Sequence, residues 1–417
     1  MTLMKSWVES ANSADCPFPL NNLPYGVFVT NSLEARCGVA IGDMILDLST
    51  AEEEGLVQLA EDPVFDVPYW NDVMELGPEA WAMLRARLIE LLEDGAPEQA
   101  AVAPYLVAMT DARMEMPFVV AEFTDFYSGK HHAVNIGTMF RGAQDALPSN
   151  WLHVPIGYNG RASTVVVSGT DIARPNGQTL TTGADAPAFG PSARLDFELE
   201  MGAIVGCASE LGQPVTVAQA DEMIFGYVLL NDWSARDIQA WEYQPLGPFQ
   251  AKAFATSISP WIVTRAALEP FRTATPEREK ELLPYLHEPK PMLYDIELSV
   301  LMRTKDATDT TICHTNYSEM YFSAPQQLAH HTSSGCAMTP GDLLGSGTIS
   351  GPKKDQRGSL IELSWDGKEP ITLEGGATRS FVEDGDTLTL LGVAKGDGFQ
   401  IGFGACTATI QPAVKFP

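Results

Sequence analysis

The sequence predicts an α+β protein that is mainly β, with a small N-terminal unit over residues 1–117 and a larger sheet domain over residues 118–417. Three observations predict this class. Short apolar runs of strand character recur along the chain between clusters of Gly, Pro and Asn. Helical segments interrupt these runs without regular alternation, which argues against a repeating βαβ fold. At 417 residues the chain is long enough for two domains.

The N-terminal unit is predicted to be a small β-barrel followed by helices. Strand-like runs cover 26–30, 35–41 and 44–47. The segment 77–94 carries apolar residues at helical spacing, and Gly95 with Pro97 closes it. No residue pattern in this unit indicates chemistry.

The larger unit is predicted to be dominated by antiparallel or mixed sheet. Its strand-like runs cover 164–168, 195–204, 294–302, 359–365, 387–394 and 399–410. Helical stretches interrupt them near 215–230, 234–243 and 318–331. Because the strands do not alternate regularly with helices, a purely parallel sheet is not expected.

The charge of the chain limits its partners. It has 26 Lys and Arg against 54 Asp and Glu, a net charge of −28, and such a surface repels nucleic acid and anionic lipid. No apolar run reaches the about 18 residues of a membrane helix, and the N-terminus lacks a secretory signal. The 6 cysteines are scattered and are expected to be free thiols. We therefore expect a cytoplasmic protein with neither nucleic-acid nor membrane partners.

Three acidic residues at alternate positions, Asp196, Glu198 and Glu200, are the most informative feature of the larger unit. Apolar residues separate them, so the segment has the two-residue period of a strand with one buried face. Carboxylates on one side of a strand lie about 7 Å apart and repel unless solvent or a cation separates them. Their oxygens suit Mg2+ or Ca2+. The alternative is an edge strand with a solvated acidic face.

A second concentration of polar side chains lies between positions 122 and 161, in a segment rich in Gly and aromatic residues. It holds Asp125, Tyr127, His131, His132, Arg141 and Tyr158. These side chains cannot all lie in a core, and a loop of this composition is more often a site than a linker. Either histidine can be the near-neutral base that water activation needs, although both can equally be surface residues.

A third polar segment covers 229–243, where Ser234 and Asp237 predict a capping box that begins a helix. Asp232 then lies just before the helix. The residues aligned on one helix face are Arg236, Gln239 and Tyr243, and Lys252 and Thr256 follow further along. The alternative is that this face is the solvent-exposed side of an ordinary helix.

The segment 345–351 is rich in glycine but lacks the Gly-Lys-Ser/Thr ending of a phosphate-binding loop. We interpret it as a substrate-contact loop or a tight turn and assign no nucleotide. Ser168 and Ser259 lack the surroundings of a nucleophile elbow, which argues against a serine hydrolase.

Together these segments resemble the fumarylacetoacetate hydrolase family. The matching motifs are Asp-Phe-Tyr-Ser at 125–128, Met-Phe-Arg-Gly at 139–142, Gly-Tyr-Asn-Gly-Arg-Ala-Ser at 157–163, Leu-Glu-Met at 199–201, Asn-Asp-Trp-Ser-Ala-Arg-Asp-Ile-Gln at 231–239, Gly-Asp-Leu-Leu at 341–344 and Ser-Gly-Thr-Ile-Ser-Gly at 346–351. The resemblance covers most of residues 120–410. It implies an N-terminal SH3-like barrel, a C-terminal β-sandwich or β-roll domain, a homodimer and a Ca2+ or Mg2+ site.

The resemblance also implies a role for each matching residue. The implied metal carboxylates are Asp125, Glu198, Glu200 and Asp232, with Lys252 and Thr256 lining the metal region. The implied base is His132, oriented by Glu362. The implied substrate contacts are Tyr127, Arg141, Tyr158, Gln239, Tyr243 and Thr348, and the implied charge stabilisers are Arg236, Gln239 and Lys252. Asp196 matches no ligand and is expected to be structural.

The implied reaction is hydrolysis of the carbon–carbon bond of a diketo acid, 4-fumarylacetoacetate, in tyrosine and phenylalanine degradation. Two alternatives remain: a hydrolase or decarboxylase of a related acylpyruvate or oxo acid, and a metal-binding module without catalysis. The full N-terminal unit argues against the first, and the presence of both His132 and Glu362 argues against the second. Two departures from the family pattern are Lys130-His131, which leaves His131 as a competing base, and Ala255, which stands where Gly is expected.

Overall fold

A computed structural model describes residues 2–181, 183–305 and 307–416 of the protein. Its architecture is mixed α+β and mainly β, which confirms the predicted class. The strands of the N-terminal part are β1 (Tyr25–Val29), β2 (Arg36–Ile41), β3 (Met44–Asp47), β4 (Leu106–Ala108) and β5 (Arg113–Glu115). Its helices are α1 (Leu48–Glu53), α2 (Asn71–Glu75), α3 (Gly77–Leu92) and α4 (Gln99–Val102).

The N-terminal strands form one antiparallel sheet in the order β4-β3-β2-β1-β5. The predicted strands at 26–30, 35–41 and 44–47 and the predicted helix at 77–94 are all confirmed, with boundaries that differ by one or two residues. Helix α3 buries Leu84, Leu88 and Leu91 against this sheet, as their helical spacing predicts.

The remaining strands are β6 (Phe123–Phe126), β7 (Gly157–Asn159), β8 (Val165–Val167), β9 (Ile172–Ala173), β10 (Asn176–Thr179), β11 (Ala188–Pro191), β12 (Leu195–Asp196), β13 (Leu199–Val205), β14 (Ile224–Asp232), β15 (Ser234–Ala235), β16 (Thr256–Ile258), β17 (Val263–Thr264), β18 (Arg272–Thr273), β19 (Leu293–Tyr294), β20 (Glu297–Arg303), β21 (Thr310–Asn316), β22 (Leu343–Gly345), β23 (Ile371–Thr372), β24 (Thr378–Arg379), β25 (Thr387–Lys395), β26 (Gln400–Gly402) and β27 (Cys406–Gln411). The remaining helices are α5 (Lys130–Arg141), α6 (Val217–Met223), α7 (Arg236–Glu242), α8 (Gln250–Ala253), α9 (Arg265–Leu268), α10 (Ala324–Thr332) and α11 (Leu360–Leu363).

Two large sheets organise this part of the chain. The central sheet has the order β7-β6-β22-β13-β14-β16-β8, and the second has the order β21-β20-β25-β27-β9. Most neighbouring strands are antiparallel, while β22 with β6, β16 with β8 and β27 with β9 are parallel. The predicted mixed sheet is therefore confirmed.

The strands β13 and β14 of the central sheet are buried on both faces. One face, with Met201 and Leu229, packs against Val300 and Leu390 of the second sheet. The other face carries Ile204, which shares a hydrophobic core with the N-terminal sheet. A strand buried on both faces reads as a continuous apolar run, which explains why 224–230 was predicted as helix: it is the first part of β14.

The structure corrects the prediction for the acidic segment 195–204. The predicted single strand is divided into β12 and β13, with Phe197 and Glu198 between them. The solvated-edge alternative is wrong, because β13 lies inside the central sheet and Asp196, Glu198 and Glu200 are all buried.

Three further predictions of local structure are also wrong. The segment 122–161 is not a loop but contains β6, α5 and β7, and the segment 359–365 is not a strand but contains α11. The capping box of Ser234 and Asp237 is absent from the described helix α7, whose N-cap is Ala235. Asp237 instead accepts hydrogen bonds from Ser192 Oγ and the Ala193 amide, a tertiary contact that no local pattern shows.

Within the described residues, no helix is both long and apolar enough to cross a membrane. The cysteines are free, as predicted, at positions 16, 37, 207, 313, 336 and 406.

Candidate active site

Four buried carboxylates converge at one end of the central sheet. They belong to Asp125, Glu198, Glu200 and Asp232, and one oxygen from each lies within 4.8 Å of the others. The most exposed of the four residues retains only 5% of its accessible surface. The structure thus brings together the whole set of carboxylates that the motifs indicate as metal ligands.

The pairing of the central strands explains this convergence. Asp125 on β6 is paired with Gly345 on β22, and Gly345 is paired with Gly202 on β13. Because side chains two residues apart share a face of a strand, Glu200 lies on the same face as Gly202 and Ile204. At one end this face packs against the N-terminal sheet, and at the other end it carries the carboxylates.

Gly345 keeps the space between two of these carboxylates open. A Cβ atom added there would lie 2.6 Å from Asp125 Oδ1 and 3.0 Å from Glu200 Oε2. Contacts this short are not tolerated without displacement of the carboxylates. Glycine is therefore required at this position if the oxygens are to surround a common ligand.

We expect Gly345→Ala to weaken binding of Mg2+ and Ca2+ by about 10–100-fold, because the methyl group displaces the carboxylates that would bind them. Isothermal titration calorimetry of the folded variant measures this change. Gly190→Ala is the matched control, since Gly190 also lies in a strand and a Cβ added there meets no atom of the described chain within 4 Å. Equal affinities in the two variants would contradict the assignment of this space to a cation.

Two cations partly compensate the carboxylates. Lys252 Nζ lies 2.5 Å from Glu198 Oε2 and 2.6 Å from Asp232 Oδ2, and Arg236 Nη1 lies 2.7 Å from Glu198 Oε1. Burial raises the pKa of Glu198, but Lys252 and Arg236 outweigh burial and lower this pKa to about 2. Burial lowers the pKa of Lys252, but Asp232 and Glu198 hold it above its usual range. Lys252 is therefore an ammonium group without a lone pair, which holds ligands in place but cannot itself bind a cation.

Asp125 and Glu200 form no ion pair within the described residues. Burial raises the pKa of both carboxyl groups well above its usual range, and neighbouring carboxylates raise it further, while the charge of Lys252 only partly opposes the shift. Among the described residues, Asp125 Oδ1 and Glu200 Oε1 are buried without a hydrogen-bond partner. Buried carboxylate oxygens that have neither an ion pair nor a hydrogen-bond donor fit a hard divalent cation with oxygen ligands.

A histidine–carboxylate pair lies beside this cluster. His132 on α5 places Nδ1 2.7 Å from Glu362 Oε2 on α11, and both side chains are buried. Burial raises the pKa of Glu362, but the charge of His132 and hydrogen bonds from Asn135 and Ser359 lower it below its usual value. The anionic Glu362 therefore accepts the Nδ1 proton and orients the ring, which leaves Nε2 3.9 Å from Glu198 Oε1.

His131 points to a different part of the structure. Its Nε2 lies 3.3 Å from Glu319 Oε2, and the side chain is 37% exposed. Adjacent residues of a helix project about 100° apart, so only one of the two histidines can face the carboxylates. In this structure that residue is His132.

The predicted substrate contacts fall into two groups. Tyr127 packs edge-on against the His132 ring with centroids 5.5 Å apart, and Tyr158 donates a hydrogen bond of 3.1 Å to Asp232 Oδ2. Gln239 Oε1 accepts from Arg236 Nη1 at 3.2 Å. Buried Thr348 follows Gly347, whose amide donates to Glu200 Oε2 at 2.9 Å. These residues surround the carboxylates.

Arg141 and Tyr243 form the other group, because both are exposed and neither contacts a carboxylate of the cluster in the described structure. Arg141 donates hydrogen bonds to the carbonyl oxygens of Asp145 and Ala146 at the end of α5. Thr256, by contrast, is buried and is paired with Asp232 in the sheet. Ala255 lies in the core between the two sheets.

The sequence did not indicate several groups that hold the site together. Glu362 accepts hydrogen bonds from Asn135 Nδ2, Ser350 Oγ and Ser359 Oγ at 2.8, 3.0 and 2.6 Å. Asn135 follows His132 by one helical turn, a spacing that could have indicated it. Ser359 precedes Glu362 by three residues, the Ser-x-x-Glu spacing of a capping box, which could have indicated it. Ser350 lies 12 residues before Glu362 and carries no comparable local signal.

Residues 122–411 match the family profile described as fumarylacetoacetate hydrolase C-terminal, and residues 21–117 match fumarylacetoacetase N-terminal. The fumarylacetoacetase of Arabidopsis thaliana is 47% identical over 422 residues, which cover 99% of this chain and 100% of that protein. This chain belongs to the fumarylacetoacetase family. The fumarylacetoacetases of Bos taurus and Homo sapiens are 47% and 46% identical and cover 99% and 98% of the chain and 100% and 99% of their own lengths.

Solved structures support the fold of the fumarylacetoacetase family independently. A fumarylacetoacetate hydrolase from psychrophilic Exiguobacterium antarcticum aligns with a TM-score of 0.52 at 16% identity and covers 94% of this chain and 99% of that one. A putative HpcE protein from Mycobacterium smegmatis aligns with a TM-score of 0.54 at 18% identity, with coverage of 93% and 99%. At these identities the likeness shows the fold alone. The family that the sequence motifs indicate is confirmed by the two family profiles and the full-length relatives.

Proposed function

We propose that this protein is a fumarylacetoacetase, which hydrolyses the carbon–carbon bond of 4-fumarylacetoacetate to give fumarate and acetoacetate in tyrosine and phenylalanine degradation. The observation that carries the proposal is the buried pair of His132 and Glu362 beside four converging carboxylates. The relatives that match the full length of the chain bear the same name.

Hydrolysis of a 1,3-diketone needs a base for water, an electrophile for the diketone oxygens and donors for the departing carbanion. We propose Mg2+ or Ca2+ as the electrophile, because the available ligands are carboxylate oxygens. When bound, such a cation supplies Lewis acidity to the diketone oxygens. Its proposed ligands are Asp125, Glu198, Glu200 and Asp232, and Lys252 and Thr256 line the region beside them.

His132 is the proposed base. Glu362 Oε2 accepts the Nδ1 proton at 2.7 Å, so Nε2 is free to take a proton from water. As Nε2 becomes protonated, the nearby Glu362 stabilises the positive charge of the ring. Glu362 itself remains anionic because three side chains donate hydrogen bonds to it.

Arg236, Gln239 and Lys252 are the proposed donors for the carbanion, which departs as an enolate. Arg236 and Lys252 are buried cations that ion pairs already hold in place, so they need little reorganisation when negative charge develops nearby. We propose that the substrate lies against Tyr127, Tyr158, Gln239 and Thr348. From their exposed positions, Arg141 and Tyr243 would bind it at the rim.

Spectrophotometry of the purified protein tests this function, since fumarylacetoacetate loses its diketone absorbance when the carbon–carbon bond is hydrolysed. We expect a higher kcat/KM with fumarylacetoacetate than with acylpyruvates under identical conditions. A preference for acylpyruvates would instead assign the protein to a related hydrolase. Turnover of neither substrate by metal-loaded protein would contradict the proposed reaction class.

We expect Arg236→Ala and Gln239→Ala each to lower kcat by about 10²–10³-fold, the usual cost of removing a donor to a developing oxyanion. Steady-state kinetics measures kcat, and thermal melting shows whether each variant is folded. Arg113→Ala is the control, because the Arg113 side chain is 74% exposed and its pair with Glu115 lies on the surface. Near-normal kcat in both test variants would contradict their role as donors to the departing enolate.

We further propose a cytoplasmic homodimer and a domain boundary between residues 117 and 118. The N-terminal family profile ends at residue 117 and the C-terminal profile begins at residue 122, which supports the boundary. Leu246 and Phe249, which follow α7, are 96% and 65% exposed, and such apolar surface is typical of a protein–protein interface. Sedimentation equilibrium at several protein concentrations tests the dimer, and a monomer at all of them would contradict it.

A further inference from the structure

Asp196 is a fully buried carboxylate that is not part of the carboxylate cluster. Its Oδ2 accepts hydrogen bonds from Arg236 Nε at 2.9 Å and from the Ile361 amide at 3.1 Å. Its Oδ1 accepts from the amides of Leu360 and Phe197 at 2.7 and 2.9 Å. Four N–H groups from three separate segments of the chain therefore meet at one side chain.

Two of these segments carry the proposed chemistry. Arg236 reaches Glu198 with the Nη1 of the same guanidinium group whose Nε binds Asp196. Leu360 and Ile361 begin α11, and the next residue of this helix is Glu362, which orients His132. Asp196 thus connects the segment that carries the proposed enolate donor, Arg236, to the segment that carries Glu362, which orients the proposed base.

Helix α11 depends on Asp196 because its own sequence does not cap it. Ser359 is the N-cap residue, but its hydroxyl donates to Glu362 Oε2 at 2.6 Å and makes no capping hydrogen bond. The first amides of a helix need acceptors from outside the helix. Asp196 provides these acceptors from 164 residues earlier in the chain.

We propose that Asp196 is a positioning residue, which sets the position of Arg236 relative to the pair of Glu362 and His132. The proposal rests on the hydrolase function proposed above. In it, Asp196 never touches substrate or metal, and it acts only through the two segments that it joins. A carboxylate is needed because all four partners are donors, and only a carboxylate offers acceptors on both oxygens.

Asp196→Asn tests this proposal with little change in side-chain volume. In either orientation the NH2 of the introduced side-chain amide faces two N–H donors, so two hydrogen bonds are lost on one side. Supporting residues of this kind cost about 10–100-fold in activity when they are changed. We expect kcat to fall by this factor with little change in KM, because the substrate contacts themselves remain.

Asp386→Asn is the matched control for loss of stability alone. Asp386 is also a buried carboxylate, and it binds Arg379 Nε at 2.7 Å and the Glu383 amide at 2.8 Å. It lies immediately before β25 of the second sheet, where its side-chain partners do not include any proposed site residue. We expect both variants to melt at lower temperature and only Asp196→Asn to lose kcat. Equal kcat in the two variants would overturn the proposal.

Nuclear magnetic resonance of histidine labelled with 15N gives a readout that is independent of turnover. The His132 Nδ1 proton shared with Glu362 is expected to give a strongly downfield signal, because the hydrogen bond is short and buried. We expect Asp196→Asn to shift or broaden this signal and Asp386→Asn to preserve it. An unchanged signal in folded Asp196→Asn would overturn the proposal even if the protein proves to act on another substrate.

Asp196→Glu decides the question if Asp196→Asn does not fold. Glutamate retains the negative charge but moves the carboxylate by one methylene group, which displaces Arg236, α11 or both. We expect Asp196→Glu to lower kcat and to shift the His132 signal. Wild-type values of both would show that charge alone is needed at this position and would overturn the positioning role.

Discussion

Removal of divalent cations by a chelator is expected to abolish hydrolysis of fumarylacetoacetate, and addition of Mg2+ or Ca2+ is expected to restore it. The physical reason lies in the carboxylate cluster, where Lys252 and Arg236 leave Asp125 Oδ1 and Glu200 Oε1 without partners among the described residues. Full activity in protein verified to be free of metal by elemental analysis would contradict the assignment.

Thermal melting checks the same site without any assay of activity. A ligand that binds only the folded state stabilises it by RT ln(1 + [L]/Kd), or about 2.7 kcal/mol at a concentration one hundred times Kd. Glu200→Gln removes one charge from the cluster while keeping an oxygen for the Gly347 amide. We expect this variant to melt above the wild type without metal, because like-charge repulsion is relieved.

The same variant should lose most of the stabilisation by Mg2+ or Ca2+, since a charged ligand has been removed. The two melting temperatures are therefore expected to change order when metal is added. Glu222→Gln is a surface control, because Glu222 is exposed on α6. Its melting temperature should match that of the wild type both with and without metal. If Glu200→Gln also matched the wild type in both conditions, the cluster would not bind these cations.

The sequence predicted which residues form the site better than it predicted the backbone structure around them. The alternate spacing of Asp196, Glu198 and Glu200 indicated carboxylates that could surround a cation, and Glu198 and Glu200 do lie in the carboxylate cluster. It also predicted that all three side chains lie on one face of a single strand, because a regular strand places them there. The strand is instead interrupted between β12 and β13. The Asp196 carboxylate accepts hydrogen bonds from Arg236 and from the first amides of α11.

Local patterns failed where a tertiary contact determines the backbone. The segment around Glu362 contains a short apolar run that is compatible with a strand or a helix. Its helical conformation is stabilised by hydrogen bonds from its first amides to Asp196, a residue too distant in the sequence for any local window. For the same reason, Ser234 and Asp237 matched a capping box by spacing, whereas Asp237 binds Ser192 in the folded chain.

The N-terminal part was easier to predict, because its elements depend on nearby residues. Helix α3 has a regular apolar stripe, and β1, β2 and β3 are consecutive antiparallel strands joined by short connections. The contact of this part with the central sheet was not predictable in the same way. Ile204 and Leu343 become part of the N-terminal core because their sheet face packs against segments that are distant in the sequence.

Replacement of His132 by Ala is expected to lower kcat by about 10²–10⁴-fold, the range for loss of a positioned acid–base group. His132 is buried, with Nδ1 bound to Glu362 and Nε2 facing the carboxylates. His131→Ala is the matched control, because His131 occupies the preceding position of the same helix but pairs with Glu319 at 3.3 Å near the surface. We expect its kcat to remain within about threefold of the wild type.

The melting assay separates loss of the base from loss of the metal. Since no proposed ligand is changed, His132→Ala should still be stabilised by Mg2+ or Ca2+, whereas Glu200→Gln should not. A His132 variant that keeps this stabilisation and loses kcat has lost the base alone, since its cation site is intact. A large loss of kcat in His131→Ala with little change in His132→Ala would transfer the role of base to His131. The orientation of His132 by Glu362 would then have no part in water activation.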